Sequence, residues 1–202
     1  DVYNIGTPRF PVQYVIRPKT EDFHDFRGFA GKVYGGELSV GDEVVVLPSM
    51  TRSKIKDIYF YNKQYKTAPR RSSVTITLED EVNVSRGDML VKADDLPTVD
   101  KKLTATVSWM DSDSFTPGGK YVVQHGVNKV LAKVDAIEHK IHPDYSGIEE
   151  NVTSLQMNDI AKVRLRLNKP IFYDRFKDHR TNGSFIIIDS RTNTTAGVGF
   201  ID

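Results

Sequence analysis

Hydrophobic residues recur at every second position along almost the whole of this 202-residue chain. That period belongs to strands that bury one face and leave the other wet. It appears in Val12, Tyr14 and Ile16; in Val44 and Val46; in Val74, Ile76 and Leu78; in Leu103, Ala105, Val107 and Trp109; and in Val163, Leu165 and Leu167. Turn chemistry separates the runs, at Tyr34-Gly35-Gly36, Val40-Gly41-Asp42, Leu47-Pro48-Ser49, Arg86-Gly87-Asp88, Thr116-Pro117-Gly118-Gly119 and Thr181-Asn182-Gly183. Short strands with regular Gly and Pro punctuation build barrels or sandwiches. One helix is expected, from Ile148 to Met157, with Glu149 and Glu150 in its first turn and Ile148, Val152 and Leu155 on one face.

A polar, acidic, proline-bearing stretch from Ala93 to Asp100 lies near the middle and reads as a linker. It divides the chain into two all-β domains of about 100 residues, 1–97 and 98–202, a common domain size. The first carries 14 basic and 14 acidic residues and the second 14 and 13, so neither is a basic arm or an acidic tail. With a net charge of +1, a dedicated nucleic-acid binder is not expected, and any such role needs a local patch. The chain has no cysteine, which excludes a disulfide scaffold, a Cys-based zinc ribbon and a thiol nucleophile. Its apolar runs, such as Phe185 to Ile188, fall far short of the roughly 20 residues of a membrane span, and its first ten residues hold no signal-peptide core. A soluble, cytoplasmic protein is expected. The first residue is Asp in place of Met, which suggests a fragment or a processed product. The one hint of repetition is a turn grammar, Val-Gly-Asp at 40–42 and Arg-Gly-Asp at 86–88, read as hairpin chemistry rather than as an adhesion motif.

No catalytic constellation emerges. The nearest approach to a phosphate-cradling loop, Gly28-Phe29-Ala30-Gly31-Lys32-Val33, fails on glycine spacing and lacks the following hydroxyl. Asn128-Lys129-Val130-Leu131 approaches a guanine-reading motif but has Leu131 where a carboxylate must accept from the base. His139 and His142, beside Glu138 and Asp144, have a metal-like spacing only on a helix, and their surroundings read as strand. His24, His125 and His179 are scattered. The carboxylate pairs Asp94-Asp95, Glu149-Glu150 and Asp111/Asp113 read as solvated turn residues, and the sequons at Asn83, Asn151, Asn182 and Asn193 matter only to a secreted chain. No catalytic, cofactor or metal residue is therefore assigned.

Two basic features remain. Lys162, Arg164 and Arg166 alternate with Val163, Leu165 and Leu167, forming a cationic ladder that is either a solvated barrel face or a partner-contacting one. Lys63, Lys66, Arg70 and Arg71 interleave with Tyr59, Phe60, Tyr61 and Tyr65, which is either strand packing beside a basic loop or a stacking platform.

The segment from Arg9 to Pro18 (RFPVQYVIRP), followed by Asp25-Phe26-Arg27-Gly28-Phe29-Ala30-Gly31, resembles the opening of the second domain in GTPases related to elongation factor Tu. More narrowly, these residues with Gly41-Asp42 and Val46-Leu47-Pro48-Ser49 resemble the large, GTP-binding subunit of bacterial sulfate adenylyltransferase. The likeness continues through Glu81 to Leu90, Val107-Ser108-Trp109-Met110, Tyr173 to Phe176, Thr181 to Asp189 and Thr192 to Gly197. The segment from Glu138 to Tyr145 departs from the family pattern and receives no role.

The resemblance implies two consecutive antiparallel β-barrels, the second and third domains of that subunit, with Asp1 just behind a GTPase domain. In the family, GTP hydrolysis in the large subunit drives adenylyl transfer from ATP to sulfate in a small subunit. GTP and Mg2+ then belong to the GTPase domain and ATP to the small subunit, and both are expected partners of a chain without cofactors or catalysis of its own. Arg27 and Gly28 are the expected domain-docking residues, since an Arg beside a flexible Gly at a strand start can reach a neighbour's carbonyls; a turn with a solvated Arg is the alternative. Lys162, Arg164 and Arg166 are the expected second contact. The alternatives in function are the tRNA-binding barrels of a translation factor and a carbohydrate- or peptide-binding β-domain.

Overall fold

The computed structural model describes residues 6–17, 27–69 and 71–202. Asp1, Pro18, His24, Asp25, Phe26 and Arg70, which figure in the sequence reading, lie outside them. Two compact units divide between Pro97 and Thr98.

The first unit contains β1 (Gly6–Ile16), β2 (Gly28–Lys32), β3 (Tyr34–Gly36), β4 (Glu43–Leu47), β5 (Thr51–Phe60), β6 (Lys63–Tyr65), β7 (Ser73–Leu78) and β8 (Met89–Lys92). Hydrogen bonding runs β2-β7-β5-β4-β8-β1 and returns from β1 to β2, closing a six-stranded antiparallel barrel with β3 and β6 attached outside the ring. Closure leaves no open edge in the ring. Phe10, Val12, Phe29, Leu38, Ile55, Ile58, Ile76 and Leu90 fill the interior.

The second unit contains β9 (Thr98–Trp109), β10 (Lys120–His125), β11 (Asn128–Ile141), β12 (Ile148–Glu149), β13 (Ile160–Tyr173), β14 (Ser184–Asp189) and β15 (Thr194–Ile201). Its ring is β10-β14-β15-β9-β13-β11 and back to β10, again six antiparallel strands, with β12 beside β11. Leu103, Ala105, Val107, Trp109, Phe115, Val163, Leu165, Phe185 and Ile187 form its core.

The all-β expectation holds, and three local expectations fail. The described residues contain no helix. Between Ile148 and Met157 the chain instead forms the two-residue β12, whose Glu149 faces Lys140 of β11, and Asn151 turns left-handed at φ 59°, which ends regular structure. Leu155 is fully buried in the core, bridging to Phe115, and Val152 packs against it half-buried. The alternation Val12, Tyr14, Ile16 breaks because a bulge between Val12 and Tyr14 reverses the phase of β1. Tyr14 is 56% exposed, and Val15 packs on the core instead.

The third correction concerns the Val-Gly-Asp and Arg-Gly-Asp turns. They are not hairpins, because β3 does not pair with β4, nor β7 with β8. In each, the Asp carboxylate accepts the N–H of the residue three before it: Ser39 to Asp42 at 2.8 Å and Ser85 to Asp88 at 2.9 Å. The glycine between has φ 92° at Gly41 and 93° at Gly87, where a Cβ is costly. Each turn then clamps a passing strand residue. Gly41 N–H donates to Ile55 C=O while Ile55 N–H donates to Asp42 C=O, and Gly87 and Asp88 clamp Val12 the same way. The second barrel repeats the device. Asn158 and Asp159 clamp Trp109, with Gln156 N–H on the Asp159 carboxylate at 2.7 Å, and Gly118 and Gly119 clamp Val134. Bulges adjoin three of the clamped residues, at Ile55/Asp57, Val12/Tyr14 and Val134/Ala136. The clamps therefore supply partners to backbone groups that the bulges take out of register.

Candidate functional site

Arg27 stands where β2 begins, at the mouth of a cleft of about 240 Å3 whose lining includes Lys56, Asp57, Thr77, Asp80 and Glu81. Its Nη2 lies 3.4 Å from Glu81 Oε1 and its Nη1 donates to Asn83 Oδ1 at 3.3 Å. The guanidinium is thus held by its own barrel. Gly28 is buried in the ladder opposite Ile16, with no positive φ, so it makes no left-handed turn. Asp80 of the lining accepts from Ser53 Oγ at 2.9 Å on its Oδ2.

The phosphate-loop near-miss is explained by packing. Gly28–Lys32 is β2 itself, with its backbone committed to β1 and β7. A Cβ on Gly31 would sit 2.5 Å from the Pro11 carbonyl oxygen, so the glycine admits the β1 backbone. These residues do not fit a nucleotide phosphate.

The ladder on β13 is internally compensated. Lys162 Nζ lies 3.8 Å from Asp202, Arg164 Nε 3.3 Å from Glu138, and Arg166 Nε 3.2 Å from Asp135. Asp135 and Glu138 come from β11, which β13 pairs with through two register shifts. Positions 135 and 138 lie on one strand face only because a bulge intervenes, so strict period-two reading hides the pairing.

Among the described residues, the carboxylates close enough to share a cation are those of Asp111, Asp113 and Asp189. Arg191 already occupies two of the three, with Nη2 2.6 Å from Asp113 Oδ2 and 3.5 Å from Asp189 Oδ2. The Asp113 bond holds the Arg191 guanidinium above its usual value, and the Arg191 backbone N–H is the first cause that holds the Asp189 carboxyl below its own. His139 lies in β11 opposite Lys162, and His142 follows that strand.

One cluster was invisible in sequence. His125, at the end of β10, and His179, in the loop before β14, meet around Asn182, all three buried. His125 Nε2 donates to the Asn182 carbonyl at 2.8 Å, while His179 Nδ1 accepts the Asn182 N–H at 2.9 Å. The Asn182 side chain donates to Phe172 C=O at 3.0 Å and to Asp174 at 2.7 Å. Among the described residues no fully buried side-chain polar atom lacks a hydrogen-bond partner, and these bonds pin the loop to the barrel. The Thr-Asn-Gly run marked a turn; the two histidines, 54 positions apart by numbering, gave no sign of meeting.

Burial is the main cause that holds the His125 imidazole below its ordinary 6.5, against the Asn182 bond and the Asp174 charge that favour the proton. The unfolded chain therefore takes up a proton near pH 6.5 that the folded barrel resists, and stability falls as pH drops from there toward the folded value. The melting temperature of the chain should be flat above about pH 7 and decline below about 6.5, and His125→Gln, which keeps a donor, should flatten that decline. An unchanged slope in the variant would remove His125 from the account.

Residues 102–202 match the family described as GTP-eEF1A C-terminal domain-like. The chain is 41% identical over 207 aligned residues to a protein named sulfate adenylyltransferase subunit 1 from Bacteroides thetaiotaomicron, covering 98% of this chain and 42% of that one. It is 37% identical to the bifunctional enzyme CysN/CysC of Rhodopirellula baltica, over 98% of this chain and 30% of the relative. The chain thus spans about two fifths or less of the relatives it matches. In structure it resembles sup35 complexed with GMPPNP, with a TM-score of 0.84 at 16% identity over 98% of this chain and 47% of that one. Through its second barrel the chain belongs to the GTP-eEF1A C-terminal domain-like family, and along nearly its whole length it is homologous to sulfate adenylyltransferase subunit 1.

Proposed function

We propose that these two barrels are the non-catalytic coupling portion of a sulfate adenylyltransferase large subunit, working in the cytoplasm beside a GTPase domain of the same subunit and a separate small subunit. The observation that carries this reading is the 41% identity to sulfate adenylyltransferase subunit 1 across 98% of the chain. In the reaction, a sulfate oxygen attacks the α-phosphorus of ATP and pyrophosphate leaves, giving adenosine 5'-phosphosulfate. GTP with Mg2+ acts in the GTPase domain and ATP in the small subunit. The two features among the described residues that come nearest to a nucleotide site do not fit one, since β2 occupies the glycine segment and Arg191 occupies the carboxylate cluster. Their part is mechanical: closed barrels are stiff, and a stiff body docked to a switching domain converts a local change into movement of a distant surface. No helix among the described residues is long and apolar enough to cross a membrane.

Arg27 is the contact we assign to the GTPase side. Glu81 and Asn83 aim its guanidinium, which pre-orients the fork for an incoming carbonyl or carboxylate. In the natural polypeptide that carries these residues, assayed with its small subunit, Arg27→Ala should lower the pyrophosphate released per GTP hydrolysed several-fold. The barrels should lose less than about 1 kcal/mol, because the Glu81 pair is exposed. An unchanged ratio would remove Arg27 from the coupling path. Salt-sensitive RNA binding without small-subunit association would favour a translation-factor role instead.

A further inference from the structure

The β5–β6 hairpin stands apart from the ring it belongs to. Among the described residues β6 pairs only with β5, and all three of its residues, Lys63, Gln64 and Tyr65, are exposed. Its turn is Tyr61-Asn62, with φ 50° and 64°. Two successive left-handed residues make the tight mirror-image turn that favours Asn-Gly, because a Cβ on a left-handed residue clashes with the following carbonyl. A bulky aromatic is a poor choice there for folding. Tyr61 nevertheless occupies the tip, is 85% exposed, and lies with its ring 4.5 Å from Phe60. Phe60 also meets Tyr65 at 5.9 Å and packs on the barrel core, so the cluster is anchored from below. On the other side of the ribbon, Gln64 bonds the Tyr59 hydroxyl at 3.2 Å. Side-chain contacts thus hold the ribbon on both of its faces.

Its charge is one-signed. Between Asp57 and Glu79 the chain has no Asp or Glu. Lys63 and Lys66 are exposed and have no ion-pair partner among the described residues, in contrast to the β13 ladder, where each cation has its own carboxylate. An exposed aromatic packed on its neighbours beside unpaired cations is the composition of an interface anchor with an electropositive rim. A chain of net charge +1 lacks the extended field that nucleic-acid binding requires.

We propose that the β5–β6 hairpin is a docking knob for an acidic protein surface, with Tyr61 and Tyr65 as the apolar anchors and Lys63 and Lys66 as the charged rim. The occupant is the small subunit of the reading above, on which this inference rests. Strain at the tip is retained because the tyrosine makes its contact in the complex.

Isothermal titration of the small subunit into the natural polypeptide, at low and high salt, tests this. Tyr61→Asn should weaken binding at least tenfold while leaving the melting temperature equal or higher, since Asn suits the turn; a merely structural tyrosine would give the opposite pair of results. Lys63→Glu with Lys66→Glu should weaken binding further and abolish its salt dependence. Wild-type protein that fails to bind the small subunit overturns the functional reading and this inference with it. Wild-type binding with unchanged affinity in both variants overturns the inference alone. Loss of affinity for single-stranded RNA in place of the small subunit overturns it in favour of nucleic acid.

Discussion

Trp109→Ala should destabilise the second barrel by about 3–5 kcal/mol, the range for deleting a large buried aromatic. Trp109 ends β9 with its indole fully buried, against Phe115 at 5.0 Å and Tyr121 at 5.5 Å. Its Nε1 donates to the Asp113 carbonyl at 2.8 Å, which ties down the loop that also carries Asp111. Its backbone is clamped by Asn158 and Asp159. A Cβ on Gly197 of β15 would lie 3.0 Å from the indole Cε3, so the neighbouring strand is shaped around this ring. Alanine leaves a cavity that three elements cannot close together, and it strands the Asp113 carbonyl. The chain has a single tryptophan, so the loss is best followed by far-ultraviolet circular dichroism in urea rather than by fluorescence. Trp109→Phe should recover about half of the deficit. A change below about 1 kcal/mol in Trp109→Ala would contradict the core described here.

Gly183→Ala should cost about 3 kcal/mol, the upper end for inserting a methyl into close packing. The added Cβ would run into the Cα of Phe176 and sit 2.5 Å from its nitrogen and 2.7 Å from the His179 carbonyl oxygen. All of these are backbone atoms, so no rotamer change relieves the clash. Gly183 also receives Ile201 N–H on its carbonyl and donates to His179 C=O, and it follows the Asn182 hub directly. Displacing it should expose the histidine cluster. Thermal unfolding should show a lower transition, and hydrogen exchange should quicken at residues 176–184. Gly126→Ala, where nothing lies within 4 Å of the added Cβ, isolates the cost of left-handed backbone and should be milder.

Much of the fold was legible because period two survives wherever a strand is straight. Leu103, Ala105, Val107 and Trp109, and Val163, Leu165 and Leu167, are buried as their alternation requires. Legibility fails at bulges. Tyr14 changes sides after the break in β1, and Asp135 and Glu138 become partners of Arg166 and Arg164 only through breaks in β11. No local residue pattern announces these breaks; what marks some of them is a clamp turn, far away in sequence. Arg9 shows the same limit. It looks like one charged residue in a strand, yet it is 1% exposed, with Nη1 2.5 Å from the Asp95 carbonyl and Nη2 3.6 Å from its carboxylate, tying β1 to the segment after β8. The basic ladder was legible as a row of cations but not as a neutralised one, because its carboxylates come from another strand and from Asp202.

The most direct test of the coupling claim is the number of pyrophosphates made from ATP and sulfate per GTP hydrolysed, measured for the natural polypeptide and for the same polypeptide without residues 1–202, each with the small subunit. With the barrels present the two products should rise together in a fixed ratio. Without them GTP hydrolysis should continue and its stimulation of pyrophosphate formation should vanish. Equal stimulation in the two preparations would contradict the account.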